Sequence, residues 1–90
     1  MNMTSHARTR QSQRAVPPLI VDWLDRYGTR EADGRGAEIV YFNKQSKRTL
    51  ERDAGKRVVD LLGQYFDAYL VVEDEKVITV GHRYKRVRRA

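Results

Sequence analysis

The sequence contains no cysteine. Disulfide scaffolding and thiolate chemistry are therefore excluded, and a reducing, cytoplasmic setting is the expectation. It has two histidines, His6 and His82. Without cysteine these cannot build an ordinary zinc site, which takes about four ligands. The acidic cluster Glu73-Asp74-Glu75 lacks the alternating spacing of a calcium loop and reads as a solvated turn. Asp33-Gly34-Arg35-Gly36 has no strand before it and no Lys-Ser/Thr after it, so it is not a phosphate loop. No serine sits in a nucleophile-elbow context. No apolar run approaches the ~20 residues that cross a bilayer. The opening MNMTSHARTRQSQR has basic residues but lacks the apolar segment of a secretory signal. These absences lead to an expectation of no metal, no cofactor and no membrane.

What is present is charge, unevenly placed. The 90 residues carry a net charge of +6 and are short enough for one domain with a small core. Residues 1–16 hold Arg8, Arg10 and Arg14 and no acid. Residues 82–90 hold Arg83, Lys85, Arg86, Arg88 and Arg89 and no acid. The body between them is slightly acidic. Cations at both ends of a near-neutral body are the electrostatic footprint of a polyanion binder. They also serve plain solubility in a small domain.

The pattern predicts an α+β fold. Residues 1–15 offer nothing to bury and are expected to form a disordered basic arm. Residues 16–83 form the single domain, and 84–90 a basic tail. Pro17-Pro18 opens a helix, with Ile20, Trp23, Leu24 and Tyr27 on one face and Gly28 as its stop. Thr29–Gly36 reads as a loop turning at Asp33-Gly34. Ala37–Phe42 reads as a strand. Ser46 is a candidate cap for a long helix over about 47–66, with the stripe Leu50, Ala54, Val58, Leu61, Leu62, Tyr65. Arg48, Arg52 and Lys56 repeat on another face of it. Strands at 68–72 and 76–81 flank the acidic turn as an antiparallel hairpin. The expected architecture is a short N-terminal helix followed by β-α-β-β, the long helix packed on a three-stranded antiparallel sheet. The exposed edges of so small a sheet make a homodimer plausible.

One catalytic class survives the absences. RNA is cleaved without metal when its own 2′-OH attacks in line, which takes a base, an acid and cations for the phosphorane. His82-Arg83-Tyr84-Lys85-Arg86 offers those groups. In an extended strand His82, Tyr84 and Arg86 point one way, Arg83 and Lys85 the other. A histidine ending a core strand, followed by a phosphate clamp, accounts for the same residues without catalysis.

Val80-Gly81-His82-Arg83 in residues 37–88 resembles a late strand of the RelE/ParE toxin superfamily, which reads valine or isoleucine, glycine, His-Arg. The resemblance implies a helix on an antiparallel sheet and, as in the ribosome-dependent members, RNA cleavage by scattered Lys, Arg and Tyr residues. The candidates it implies are Lys44, Arg48, Arg52, Arg83 and Tyr84. The whole chain also resembles short uncharacterised proteins of bacterial mobile elements, through its PPLIVD start and VITV end. That likeness implies a context and no activity.

Three functions remain open. The first is a non-catalytic module whose ends contact nucleic-acid phosphates through Arg8, Arg10, Arg14, Arg83, Tyr84, Lys85, Arg86, Arg88 and Arg89. The second is a metal-independent endoribonuclease using His82, Arg83, Tyr84, Arg48, Arg52 and Lys44. The third is an inhibitor or interaction protein docking on a nucleic-acid-processing complex. No recognition-helix signature points to sequence-specific readout.

Overall fold

The computed structural model describes residues 2–82. The chain runs β1 (Asn2–Met3), α1 (Ser5–Gln13), α2 (Pro18–Tyr27), β2 (Thr29–Ala32), β3 (Glu38–Tyr41), α3 (Lys44–Ala54), α4 (Lys56–Leu61), a 3-10 turn (Gly63–Tyr65), β4 (Tyr69–Glu73) and β5 (Lys76–Gly81). The α+β class stands, but the sheet has five strands in the order β1-β5-β4-β3-β2. All pairings are antiparallel except β1 with β5. Val40, Leu70, Val72, Val77 and Val80 supply the sheet's share of the core. Ala7 of α1, Ile20, Trp23 and Leu24 of α2 and Leu50 of α3 close over it.

The N-terminal residues do not form a disordered arm. Residues 2–13 are ordered, because the edge of β5 gives them something to bury. Met3 pairs with Val77, and the Thr4 N–H donates to the Val77 carbonyl at 3.0 Å. The Thr4 hydroxyl caps α1 by accepting from the Ala7 N–H at 3.1 Å. Ala7 is fully buried, and the Arg14 guanidinium donates to the Val80 carbonyl at 3.0 Å. So α1 runs beside β5 in the strand's own direction and covers its edge. It has almost no apolar face, which is why no helical periodicity announced it.

Residues 29–36 are not all loop. Thr29–Ala32 pairs with Glu38–Tyr41 across a tight turn. Asp33 holds that turn, its Oδ1 accepting from the N–H groups of Arg35 and Ala37. Gly28 does end α2, but at φ −61°. Glycine is needed there for space, since a Cβ would collide with the Leu24 carbonyl oxygen and the Val40 side chain.

The long helix over 47–66 is also corrected. It starts at Lys44, capped by Asn43, whose Oδ1 accepts from the Ser46 N–H at 2.9 Å. Ser46 is not the cap; its hydroxyl accepts in return from the Asn43 N–H at 2.7 Å, a reciprocal capping box. Gly55, at φ 94°, then breaks the helix into α3 and α4. The break rotates the inward face: Val59 is buried, whereas Leu61 is 73% exposed. It also ends the Arg48, Arg52, Lys56 repeat on a common helix. The sheet is packed by α2, which lies on β3 and β4, while α3 packs on α2.

The acidic turn has a definite geometry. Asp74 and Glu75 both sit at positive φ, 50° and 62°, as the two-residue turn of a twisted hairpin demands. Aspartate tolerates that region, but glutamate does not favour it. Replacing the pair with Asn-Gly should raise stability by about 0.5–1 kcal/mol in urea unfolding. An unchanged midpoint would mean that the turn carries no such strain.

Candidate functional site

Two features at the β4–β5 hairpin bring the site together. The first is register. Tyr69 pairs with Gly81, so Asp67, just before β4, and His82, just after β5, lie at the same end of the sheet. The second is a bulge. Val72 pairs with Val77 but Val71 pairs with Thr79, leaving Ile78 as an extra residue. Val77 and Val80 therefore both face the core, although they are three apart, and His82, two residues after Val80, follows on the same face. Without the extra residue, strict alternation would turn His82 to the opposite face.

His82 Nδ1 lies 2.9 Å from Asp67 Oδ1. The two side chains are 24% and 41% exposed, so the pair is reachable from solvent. In the neutral tautomer whose Nδ1–H donates to the carboxylate, Nε2 carries the lone pair. The Tyr65 ring stands 6.0 Å from the His82 ring, centroid to centroid, tilted by 36°. Arg14, Ala15, Gln64, Tyr65, Asp67 and His82 together line an open pocket of about 490 Å³. The start of α3 lies at the same sheet end, just beyond β3, with Lys47 Nζ 5.7 Å above the Phe66 ring.

No family model, curated protein or solved structure matches the chain.

The residues singled out from sequence are distributed as follows. His82 and Arg14 meet at this pocket. Lys44, Arg48 and Arg52 are exposed on α3 and do not line it. Arg8 is exposed on α1, beside a separate groove of about 420 Å³ with Gln11, Pro17 and Pro18. Arg10 is half-buried and donates along α1 to Gln13 Oε1 at 3.3 Å. Arg83, Tyr84, Lys85, Arg86, Arg88 and Arg89 lie outside the described residues. Asp67, Tyr65 and Gln64 were missed. Their only signal was the pairing register of two strands, which composition does not carry.

The other end of the sheet is acidic. Asp25, Glu38, Asp74 and Glu75 surround a pocket of about 480 Å³. Arg30 is the cation among them, 3.0 Å from Asp25 and 3.9 Å from Glu38. The strand β5 thus runs from an acidic end to the end where His82, Arg14 and the start of α3 stand. Away from both pockets, the Tyr27 hydroxyl donates to Asp53 Oδ2 at 3.0 Å and ties α2 to α3. That bond, then desolvation, pushes the Tyr27 phenol above its ordinary value. The phenol therefore stays protonated to donate this bond at neutral pH, and the tie is lost as pH rises through that raised value. Among the described residues no group of three His, Asp or Glu side chains is placed to hold a metal. No helix among them is long and apolar enough to cross a membrane.

Proposed function

We propose that the protein binds nucleic-acid phosphates at the His82 end of its sheet. The observation that carries this reading is the polarity of β5. It starts in an acidic turn at Asp74-Glu75 and delivers His82, followed in sequence by five cations, beside Arg14. A strand fixed in the core by Val77 and Val80 gives its charged extension a defined point of departure. An uneven field of this kind steers a polyanion to one end of the molecule and repels it from the other. Contacts made by arginine and lysine to phosphates bind without reading sequence. The test is a salt titration of binding to labelled RNA and DNA, taken up in the Discussion.

The Asp67–His82 hydrogen bond favours a second reading, cleavage of RNA without metal. Nε2 of His82 would take the proton of a 2′-OH as that oxygen attacks the adjacent phosphorus. The P–O5′ bond then breaks and the departing O5′ takes a proton from water, leaving a 2′,3′-cyclic phosphate and a 5′-OH. Asp67 would hold the imidazole in the required tautomer, and Arg14 would meet the phosphorane charge. His82→Ala should then slow cleavage of a labelled RNA by about 100-fold or more while the fold persists and binding falls by far less. Intact RNA with the wild-type protein, or equal cleavage by the variant, reduces the site to binding alone.

A further inference from the structure

The pocket beside His82 has a composition that the cationic ends do not require. It holds an aromatic ring, a neutral amide and an imidazole hydrogen-bonded to the Asp67 carboxylate, as well as an arginine. Resting on the phosphate-binding reading above, we infer that this pocket is a subsite for one unpaired nucleotide, its base against Tyr65 and its phosphate between Arg14 and His82, so that the protein prefers single strands to duplex.

Five observations carry the inference. The volume of about 490 Å³ falls in the range of small-molecule sites, roughly 300–1,000 Å³, and suits one nucleotide better than a helix. Tyr65 packs against the core cluster and also lines the pocket, so its ring is held in place before any ligand arrives. The Tyr65 and His82 rings are splayed by 36° at 6.0 Å, which leaves the tyrosine face unstacked by the imidazole. Arg14 is anchored by one N–H on the Val80 carbonyl, and a guanidinium has further donors in its fork for a phosphate oxygen. Gln64 is exposed at the rim, with an amide that both donates and accepts at a base edge.

The preference for single strands follows from access. In a duplex the base faces are stacked and the pairing edges occupied. Bringing one base onto Tyr65 would require unpairing it and extruding it from the stack. In a single strand that cost is largely absent, and stacking on an aromatic side chain is gained without regard to sequence.

The experiment uses the full chain and three fluorescein-labelled probes: a 12-nucleotide single-stranded RNA, the DNA of the same sequence, and the RNA duplex. Tyr65→Leu keeps much of the apolar packing and removes the ring. It should weaken both single-stranded probes by roughly tenfold and leave the duplex unchanged. A preference for the RNA strand over the DNA strand would add a 2′-OH contact; equal binding would assign the site to base and phosphate alone. Tyr65→Trp gives a readout that does not depend on the leucine variant folding. Its added indole should be quenched by single strands, after subtraction of the wild-type Trp23 signal, and not by duplex. If duplex and single strands bind alike and the indole is not quenched, the subsite is wrong while phosphate binding stands. If no probe binds even at low salt, both fall.

Discussion

A protein truncated after His82 should lose roughly 100-fold in affinity for single-stranded RNA at physiological salt. Five cations leave with residues 83–90, and each phosphate contact contributes about 0.7 to the slope of log affinity against log salt on a single strand. The slope should therefore shrink by about 3.5 if all five act. Melting temperature should hardly move, because β5 ends at Gly81 and its buried valines remain. Neutralising Arg8 together with Arg10 should have a smaller effect, since Arg10 is already engaged along α1. Equal slopes for the full and truncated proteins would make the basic run a solubility device. Attention would then pass to a protein partner.

Leu50→Ala should destabilise the fold by about 2–5 kcal/mol, whereas Leu61→Ala should stay within about 0.5 kcal/mol of wild type. Both leucines belong to the same apolar stripe in the sequence, so one unbroken helix would give them comparable weight. In the structure Leu50 is fully buried and Leu61 is 73% exposed. The difference comes from Gly55, whose positive φ resets the helix between them. Urea unfolding of the two variants measures it directly. A loss for Leu61→Ala as large as that for Leu50→Ala would show a continuous helix or a partner covering α4.

The acidic turn belongs to the same argument. Its strain relief by Asn-Gly is worth less than the burial of Leu50, but it acts on the strand pair that carries the site. Because the two changes lie in separate elements, their effects should add within a few tenths of a kcal/mol.

Several elements were legible in the amino-acid order because their causes are local. Pro17-Pro18 and the Ile20, Trp23, Leu24, Tyr27 face specify α2 without help from the rest of the chain. Asp33-Gly34 marks its turn through a side-chain acceptor two residues from its donor. The alternating and β-branched runs mark β3, β4 and β5. The cationic ends and the absence of metal and thiol ligands are composition, and composition narrows the chemistry before any fold is known.

The rest depended on pairing. No periodicity marks α1, whose order comes from the edge of β5, more than 60 residues away in the chain. Thr29–Ala32 is a strand because β3 is beside it. Asp67 and His82 are 15 residues apart in sequence and 2.9 Å apart in space because two strands are held in one register. Which face His82 takes is set by a single extra residue, Ile78, in that register. A side chain in a strand reverses its face with every one-residue step. The amino-acid order therefore determined that a basic segment follows a buried strand, while only the bulge and the covering helix decided that the strand ends with His82 beside Arg14, Tyr65 and Asp67.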